Sequence, residues 1–237
     1  MRQDLVVATG GTDGWQAMIR YQMEQVKRLG YEPLVFDLGG LGFGEPLPMR
    51  PTDLEEWKDR IPRTTHKARM ASAALDLARG RDVCMLDGDS VPVRELDLSG
   101  YPDFDVAVVI RTPKELGGSK YPAVTGYVSS ATMFFRPTPE AREWLDCWDE
   151  AMERLGNDQW AANELIAAVV GWHPEKWTRL YDRVVKVLGA KILFLRTVEW
   201  NWYYEGQDKV GPSVRVVHYG KKFRKLHPAY RSASKLS

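Results

Sequence analysis

The chain has 237 residues, with 33 lysines and arginines against 32 aspartates and glutamates, so its formal net charge is +1. This balance argues against a surface built to bind nucleic acid or an acidic membrane, and no apolar run is long enough to cross a bilayer. A chain of this length can bury the core of one large or two small domains.

The first residues and the cysteines indicate a compartment. Met1 to Asp4 leads straight into an apolar strand pattern, without the apolar segment and cleavage site of a secretory leader. The two cysteines, Cys84 and Cys147, fall in predicted buried elements and lack the spacing of metal ligands. We therefore expect reduced thiols in a cytoplasmic protein.

The first predicted elements are those of an α/β unit. Leu5–Ala8 is an apolar strand, residues 9–14 form a glycine-rich turn, and helical spacing predicts a helix over 15–29 that ends at Gly30. Strand, glycine-rich turn and helix open many phosphate-binding units, although this turn lacks the GxGxxG pattern. A flexible loop between strand and helix explains the same residues equally well. A second strand is predicted over 34–38.

A long Gly/Pro-rich connection follows over 39–62, with a short acidic helix near 54–58. Loops of this length in compact domains often serve a site. The next helix, over 65–79, carries Lys67 near its start, where the helix dipole does not favour a cation. Contact with a diphosphate would explain Lys67, whereas solvation of a long side chain is the commoner explanation and the one we prefer for Arg69.

The stretch from Val83 to Asp89 carries the strongest chemical signal. Val83–Leu86 is typical of a strand buried on both faces, and Asp87, Gly88 and Asp89 follow directly. Carboxylates at the tip of a buried strand cost desolvation unless a positive group meets them, and this is the end at which α/β sheets bind ligands. We interpret Asp87 and Asp89 as ligands of Mg²⁺ or Mn²⁺, with Gly88 allowing close approach of a phosphate. A turn with solvated acids is the alternative.

Strands and helices continue to alternate in the second half. Strands are predicted over 105–110 and 130–136, separated by a Gly/Pro-rich loop over 111–125. Thr138 caps the next helix, with Pro139 at its first position. The apolar stripe of that helix is more typical of core than of a ligand site.

The following helix begins with Asn157, Asp158 and Gln159 and runs to about Val170. Asn157 or Asp158 is a good N-cap, which is the structural interpretation. The functional interpretation places Asp158 and Gln159 at the mouth of a cleft, aimed at a sugar. A helix start on the catalytic face can serve both purposes.

The last predicted strands cover 191–198 and 213–217, and the second runs into His218 and Lys221. A histidine at a strand end, followed by lysines, suits a third metal ligand with phosphate contacts. A lone histidine is more often a structural residue. The polar segment over 225–237 is expected to fray as a flexible tail.

These residues, taken in order, resemble the motifs of the GT-A nucleotide-sugar glycosyltransferases. The block from Lys67 to Asp89, a helix with lysine followed by an apolar strand and Asp-Gly-Asp, carries most of the resemblance. The later order of Asp158-Gln159 and His218 is similar to the retaining galactosyl- and glucosyltransferases of family 8. Thr125-Gly126-Tyr127 stands where that family has Asn-x-Gly, and its C-terminal motif is reduced to residues 218–223.

The resemblance implies one GT-A-type domain of α/β class, with a Rossmann-like mixed sheet flanked by helices on both faces. Residues 1–100 would form the nucleotide-binding half, which ends in the Asp-Gly-Asp motif, and residues 101–224 the acceptor and catalytic half. The implied reaction is metal-dependent transfer of a sugar, with retention, from a nucleoside-diphosphate sugar, often a uridine one.

The resemblance also assigns roles to residues. Mn²⁺ or Mg²⁺ would be held by Asp87, Asp89 and His218. Asp158 and Gln159 would lie near the anomeric carbon. Contacts with the nucleotide and diphosphate are expected from eight residues: Thr9, Gly10, Gly11, Lys67, Asp87, Gly88, Asp89 and Lys221.

Two other functions stay open. A sugar-phosphate nucleotidyltransferase is also an α/β enzyme with metal-binding aspartates, but residues 9–14 lack the basic side chains that normally follow its glycine-rich loop. A non-catalytic module that binds nucleotide sugars is the other. The acceptor is not determined by the sequence: a saccharide, protein, lipid or modified nucleobase would all fit, and the acceptor loops would be 39–62 and 111–125.

Overall fold

The computed structural model describes residues 4–47, 66–111, 126–203, 210–220 and 227–229. Its main sheet has eight strands: β1 (Leu5–Gly11), β2 (Glu32–Asp37), β3 (Glu45–Pro46), β4 (Asp82–Leu86), β6 (Val106–Ile110), β7 (Val128–Phe135), β8 (Val184–Val187) and β9 (Ala190–Arg196). A smaller sheet contains β5 (Ser90–Pro92), β10 (Trp202–Tyr203) and β11 (Val216–His218). The helices of the described ranges are α1 (Gln16–Arg28), α2 (Lys67–Leu77), α3 (Pro139–Leu155), α4 (Asp158–Val170), α5 (Pro174–Thr178) and α6 (Thr197–Trp200).

The main sheet is mixed. Its strand order is β3-β2-β1-β4-β7-β6-β9-β8, in which β7 and β8 run antiparallel to their neighbours and the other pairs are parallel. The small sheet packs beside it, with β11 between β10 and β5. Reversal of direction at β7 places the start of β7 at the same edge as the ends of β1 and β4.

Helices cover both faces of the sheet, so the predicted α/β class and layering are confirmed. One apolar core joins the sheet to α2, α3 and α4, and includes Trp144 and Trp148. A second core on the other face joins it to α1 and α6, and includes Val26 and Trp200. The central strand β6 is buried along its whole length, as its uninterrupted apolar sequence indicates.

The predicted glycine-rich turn over 9–14 is wrong for its first three residues, because β1 continues to Gly11. Gly10 and Gly11 pair with Phe36 and Asp37 in the parallel ladder. A Cβ at Gly10 would lie 2.5 Å from the Sδ atom of Met70 on α2. The glycine at this position therefore allows a helix to pack closely on the strand, a role that periodicity does not reveal.

Other boundaries moved by a few residues. The strand predicted over 130–136 begins at Val128, and the strand predicted over 213–217 is shifted to 216–218, so that His218 lies inside it. Thr138 caps α3, as predicted, by accepting a hydrogen bond from the Ala141 backbone N–H. The acidic helix predicted near 54–58, the loop over 112–125 and Lys221 lie outside the described residues, as does the predicted tail apart from residues 227–229.

An irregularity in β7 shapes the edge of the sheet at which β1 and β4 end. Val108 pairs with Met133, but the next residue of β6, Val109, pairs with Ser129, so three residues of β7 have no partner on β6. Such a bulge re-aims side chains locally. On the other side of β7 the Asp87 backbone N–H donates to the Ala131 carbonyl oxygen at 2.9 Å, and Ser130 thereby reaches the end of β4.

Both cysteines are free thiols in the described structure, and burial raises the pKa of Cys84 well above its ordinary value. None of the described helices combines the length and apolarity that crossing a membrane requires.

Candidate active site

A cavity of about 370 Å³ opens where the ends of β1 and β4 meet the starts of β7 and α4. Nine of the predicted site residues line it: Gly10, Gly11, Lys67, Asp87, Gly88, Asp89, Asp158, Gln159 and His218. Residues far apart in the sequence therefore meet in one concave site, as expected for the carboxyl ends of strands in an α/β sheet.

Thr9, which the sequence predicts as a nucleotide contact, is not among the residues that line the cavity. It lies in β1 with its side chain buried, and its Oγ1 atom has no hydrogen-bond partner within the described ranges. Thr12, the fourth residue of the predicted turn and the first residue after β1, lines the cavity instead. Extension of β1 through Gly11 moves the loop residues forward and leaves Thr9 inside the sheet.

One wall of the cavity has the donor set of a divalent-metal site. One ligand atom each from Asp87, Asp89 and His218 lies within 4.8 Å of the others. The Nε2 atom of His218 is 3.4 Å from Oδ1 of Asp89, and both side chains are buried. Two carboxylates and an imidazole are donors that suit Mn²⁺, and oxygen donors suit Mg²⁺. The residues present therefore fit the ion that the sequence predicts.

Lys67 lies between two carboxylates at the centre of the cavity. Its Nζ atom is 2.5 Å from Oδ1 of Asp87 and 2.8 Å from Oδ2 of Asp158. It also donates to the carbonyl oxygen and the hydroxyl of Ser130, at 3.1 and 3.2 Å. The Ser130 hydroxyl in turn donates to Asp158 at 2.6 Å. The ammonium group thus contacts protein oxygens from the turn after β4, from β7 and from α4.

The protonation state of Lys67 follows from these contacts. Burial by itself lowers the pKa of a lysine, but the charges of Asp158 and Asp87, and their hydrogen bonds, outweigh it and raise the pKa of Lys67 above its ordinary value. Lys67 is therefore charged throughout the physiological range. It neutralises one of the two carboxylates that it contacts.

The charge of the cavity wall favours a cation. Asp87, Asp89 and Asp158 oppose the single charge of Lys67, which leaves a net charge of −2 on these lining residues when the imidazole of His218 is counted as uncharged. A diphosphate entering such a cavity alone would be repelled. A divalent cation would balance the wall and leave it able to accept an anion.

The turn that carries the two aspartates is held from outside by Gln22, which sequence reasoning missed. The Gln22 side-chain amide on α1 donates to the carbonyl oxygens of Asp87 and Ser90, at 2.9 and 2.6 Å. The Ser90 backbone N–H closes the turn on the Asp87 carbonyl at 2.9 Å. The sequence did contain a signal for this role, because Gln22 is a polar residue on the same buried face of α1 as Ile19 and Val26.

Gly88 also has a packing role. A Cβ at this position would lie 2.8 Å from Cε3 of Trp15 and 3.0 Å from Cδ1 of Ile19, both on or beside the first turn of α1. Side chains closer than 3.0 Å to such an atom must move. The glycine between the aspartates thus allows α1 to approach the turn, in addition to the phosphate contact that the sequence predicts.

Gln159 is oriented by Arg111, another residue that sequence reasoning missed. The guanidinium donates to the Gly126 carbonyl oxygen at 2.9 Å and to Oε1 of Gln159 at 3.0 Å. Because guanidinium N–H groups only donate, the Gln159 oxygen must be the atom that faces Arg111. Arg111 opens a predicted loop, and nothing in its sequence context marks it. Asn157 caps α4 through the Trp160 backbone N–H, as the structural interpretation predicts.

No protein-family model matches the chain, and no curated protein matches it in sequence. Among solved structures, a glycosyltransferase involved in the glycosylation of the major capsid of PBCV-1 aligns with a TM-score of 0.62 and 12% identity, over 98% of this chain and 99% of that one. The galactosyltransferase LgtC, in complex with donor and acceptor sugar analogs, aligns with a TM-score of 0.51 and 13% identity, over 98% of this chain and 94% of that one.

The chain has the GT-A glycosyltransferase fold. The glycosyltransferase GlyE of Streptococcus pneumoniae TIGR4 aligns as well, with a TM-score of 0.50 and 12% identity, over 91% of this chain and 55% of GlyE. The predicted GT-A architecture is therefore confirmed, and the Asp-Gly-Asp turn lies at the cavity of this GT-A fold.

Proposed function

We propose that the protein is a glycosyltransferase that moves a sugar from a nucleoside-diphosphate sugar, with uridine as the nucleoside, to an acceptor. We further propose that transfer requires Mn²⁺ or Mg²⁺ and retains the anomeric configuration. The observation that carries the proposal is the meeting of Asp87, Asp89 and His218 within 4.8 Å, on the wall of a cavity in a GT-A fold.

The donor would bind across the edge formed by β1 and β4. Gly10 and Gly11 line the cavity where the nucleotide would lie, and Trp15 adds an aromatic wall. Asp87, Asp89 and His218 would hold the ion. When bound, that ion supplies Lewis-acid stabilisation of the negative charge on the diphosphate leaving group. Lys221, outside the described residues, stays a proposed diphosphate contact.

Lys67 stabilises the proposed donor site through the two carboxylates that it contacts. Its ammonium lies 2.5 and 2.8 Å from carboxylate oxygens of Asp87 and Asp158, so both side chains are held in position before a donor arrives. Its positive charge remains next to the place where a diphosphate would lie and adds to the electrostatic stabilisation there.

The sugar would lie toward the start of α4. Retention needs either a group on the face of the sugar away from the leaving group or a front-side path guided by the leaving phosphate. Asp158 and Gln159 are our candidates for the groups near the anomeric carbon, because both line the cavity at this end. Because Arg111 donates to the Gln159 oxygen, the Gln159 side chain is held at this end of the cavity, beside the proposed position of the sugar.

The test begins with binding. We expect UDP with Mn²⁺ to raise the melting temperature, and EDTA to remove that rise, because a ligand that binds only the folded state stabilises it. Asp89→Ala should abolish both the shift and the hydrolysis of a UDP-sugar panel while circular dichroism is unchanged. Asp76→Ala, which removes an exposed aspartate on α2, is the matched control and should behave as the wild type. Full activity of Asp89→Ala would end the proposal.

Turnover separates the proposal from its alternatives. A thermal shift without hydrolysis or transfer of any donor on the panel would favour a non-catalytic module. Release of diphosphate from a nucleoside triphosphate and a sugar phosphate would favour a nucleotidyltransferase. Release of UDP, with the sugar passing to water or to an added acceptor, supports a glycosyltransferase.

A further inference from the structure

The two ring nitrogens of His218 face different partners. Nε2 points toward the candidate metal site, 3.4 Å from Oδ1 of Asp89. Nδ1 points away from it and lies 3.1 Å from Oδ1 of Asn201. The ring also lies on Tyr203, with centroids 4.7 Å apart and planes tilted by 32°. The position of the imidazole is therefore fixed by contacts on its face and at both nitrogens.

Asn201 follows α6 and is completely buried, with 0% of its surface exposed. Its Nδ2 atom donates to the Ser129 hydroxyl oxygen on β7 at 2.9 Å. The amide nitrogen is directed at Ser129, and the amide oxygen is the atom that faces His218. An amide oxygen accepts hydrogen bonds and cannot donate them.

The proton on His218 follows from that geometry. Both ring nitrogens face acceptors, the Asn201 oxygen 3.1 Å from Nδ1 and the Asp89 oxygen 3.4 Å from Nε2. The shorter contact favours a neutral imidazole with its proton on Nδ1, and a lone pair on Nε2 is the form that can bind an ion beside Asp89. The Ser90 hydroxyl, 3.4 Å from Nδ1, can either donate or accept and does not decide between the two tautomers. Asn201 is the group that decides.

We propose that Asn201 is a positioning residue for the metal site: it holds His218 in the tautomer and orientation that aim the Nε2 lone pair at Asp87 and Asp89. The inference rests on the proposed function for the identity of the ion, but not for the tautomer. Histidine ligands of metals are generally fixed in this way through their other ring nitrogen. Ser129 contributes indirectly, because its hydroxyl oxygen accepts from the Asn201 amide nitrogen and helps to hold the side chain in place.

The first experiment reads the tautomer directly. Long-range ¹H–¹⁵N NMR of the metal-free full-length protein, labelled at its four histidines, with His218→Gln for assignment, should show the proton of His218 on Nδ1. Asn201→Asp keeps an acceptor facing Nδ1 and should preserve that tautomer. Asn201→Leu has a similar size without the acceptor and should shift the population toward the proton on Nε2.

The second experiment measures the ion itself. Mn²⁺ binding in the presence of UDP, followed by electron paramagnetic resonance, should weaken by roughly 10-fold to 100-fold in Asn201→Leu, the range found when such supporting residues are lost. Asn201→Asp should stay within a few-fold of the wild type. Rescue by aspartate distinguishes positioning from mere filling of space, which leucine also does.

Each outcome is decisive. A wild-type His218 with its proton on Nε2, or an Asn201→Leu variant with unchanged tautomer and Mn²⁺ affinity, would overturn the inference. If Asn201→Leu does not fold, Asn201→Ala also removes the acceptor and should shift the same NMR signals; unchanged signals would again overturn the inference. If the wild type binds no Mn²⁺, the proposed function fails, whereas the tautomer still tests the role of Asn201.

Discussion

The Nζ atom of Lys67 lies 2.8 Å from Oδ2 of Asp158, and this pair joins the start of α2 to the start of α4. Both side chains are nearly buried, with exposed fractions of 12% and 4%. The same ammonium group also contacts Asp87, in the turn that directly follows β4. Lys67, which the sequence suggested as a substrate contact, therefore also holds separate elements of the fold together.

Removal of that lysine should be strongly destabilising. Lys67→Met leaves two carboxylates facing each other without a cation, and breaking a buried ion pair from one side typically costs about 3–5 kcal/mol. Urea unfolding of Lys67→Met should show a loss of this size. Arg142→Met, which breaks an exposed pair with Asp76, should lose less than about 1 kcal/mol. Equal losses in the two variants would contradict the assigned role of Lys67.

Gly88→Ala should damage the site without removing any ligand atom. The added methyl group would lie 2.8 Å from the Trp15 ring and must displace α1 or the turn, at a cost of about 1–3 kcal/mol. We expect weaker binding of UDP with Mn²⁺ in thermal-shift titrations. Gly100→Ala, where a methyl group meets no atom within 4 Å, is the control. Wild-type affinity in Gly88→Ala would show that the turn tolerates the shift.

Arg111→Met should reduce turnover more than binding. The variant keeps the length of the side chain but loses the hydrogen bond that orients Gln159, and misplacement of a group near the reacting atoms can lower kcat on the order of 10-fold to 100-fold. Kinetics of UDP-sugar hydrolysis would measure kcat, and thermal shifts would measure the affinity for UDP with Mn²⁺, which we expect to be unchanged. Arg154→Met, at an exposed pair with Glu164, should leave both unchanged. A normal kcat in Arg111→Met would exclude the orienting role.

His227 should make the protein less stable in mild acid. Burial lowers the pKa of His227 to about 4, whereas an unfolded histidine has a pKa of about 6.5. The unfolded chain therefore binds a proton between these values that the folded chain does not, and the free energy of unfolding should fall as pH decreases, by on the order of 1 kcal/mol per unit. Above pH of about 6.5 this contribution is complete.

The check is a comparison with His227→Phe across the same pH range. Phenylalanine keeps a ring between Tyr21 and Tyr219, which lie 5.4 and 4.9 Å from the imidazole centroid, but cannot bind a proton. Chemical unfolding should show a shallower pH dependence in the variant than in the wild type. Identical slopes would mean that other groups cause the acid sensitivity.

The sequence was most informative where chemistry and periodicity pointed to the same place. Asp87 and Asp89 follow an apolar strand, and His218 ends another, so their meeting could be anticipated from the rule that sites lie at strand ends. The α/β class and the cap at Thr138 followed from equally local patterns. These features depend on few residues that are close in the chain.

Contacts between distant segments could not be predicted in the same way. Lys67 meets Asp158 because β7 reverses direction and carries a bulge, and neither fact leaves a mark near Lys67. Gly10 seemed to belong to a turn because glycine is common in turns, whereas here it admits the Met70 side chain. Arg111 and Asn201 act through single hydrogen bonds made across the fold.

The amide of Gln22 spans both ends of the turn from Asp87 to Ser90. The turn is therefore already ordered in the folded protein, and the entropic cost of ordering it is not part of the free energy of ion binding. With a shorter side chain at this position, the turn would become ordered only when the cation binds. The dissociation constant for the cation would then rise, although every coordinating atom is still present.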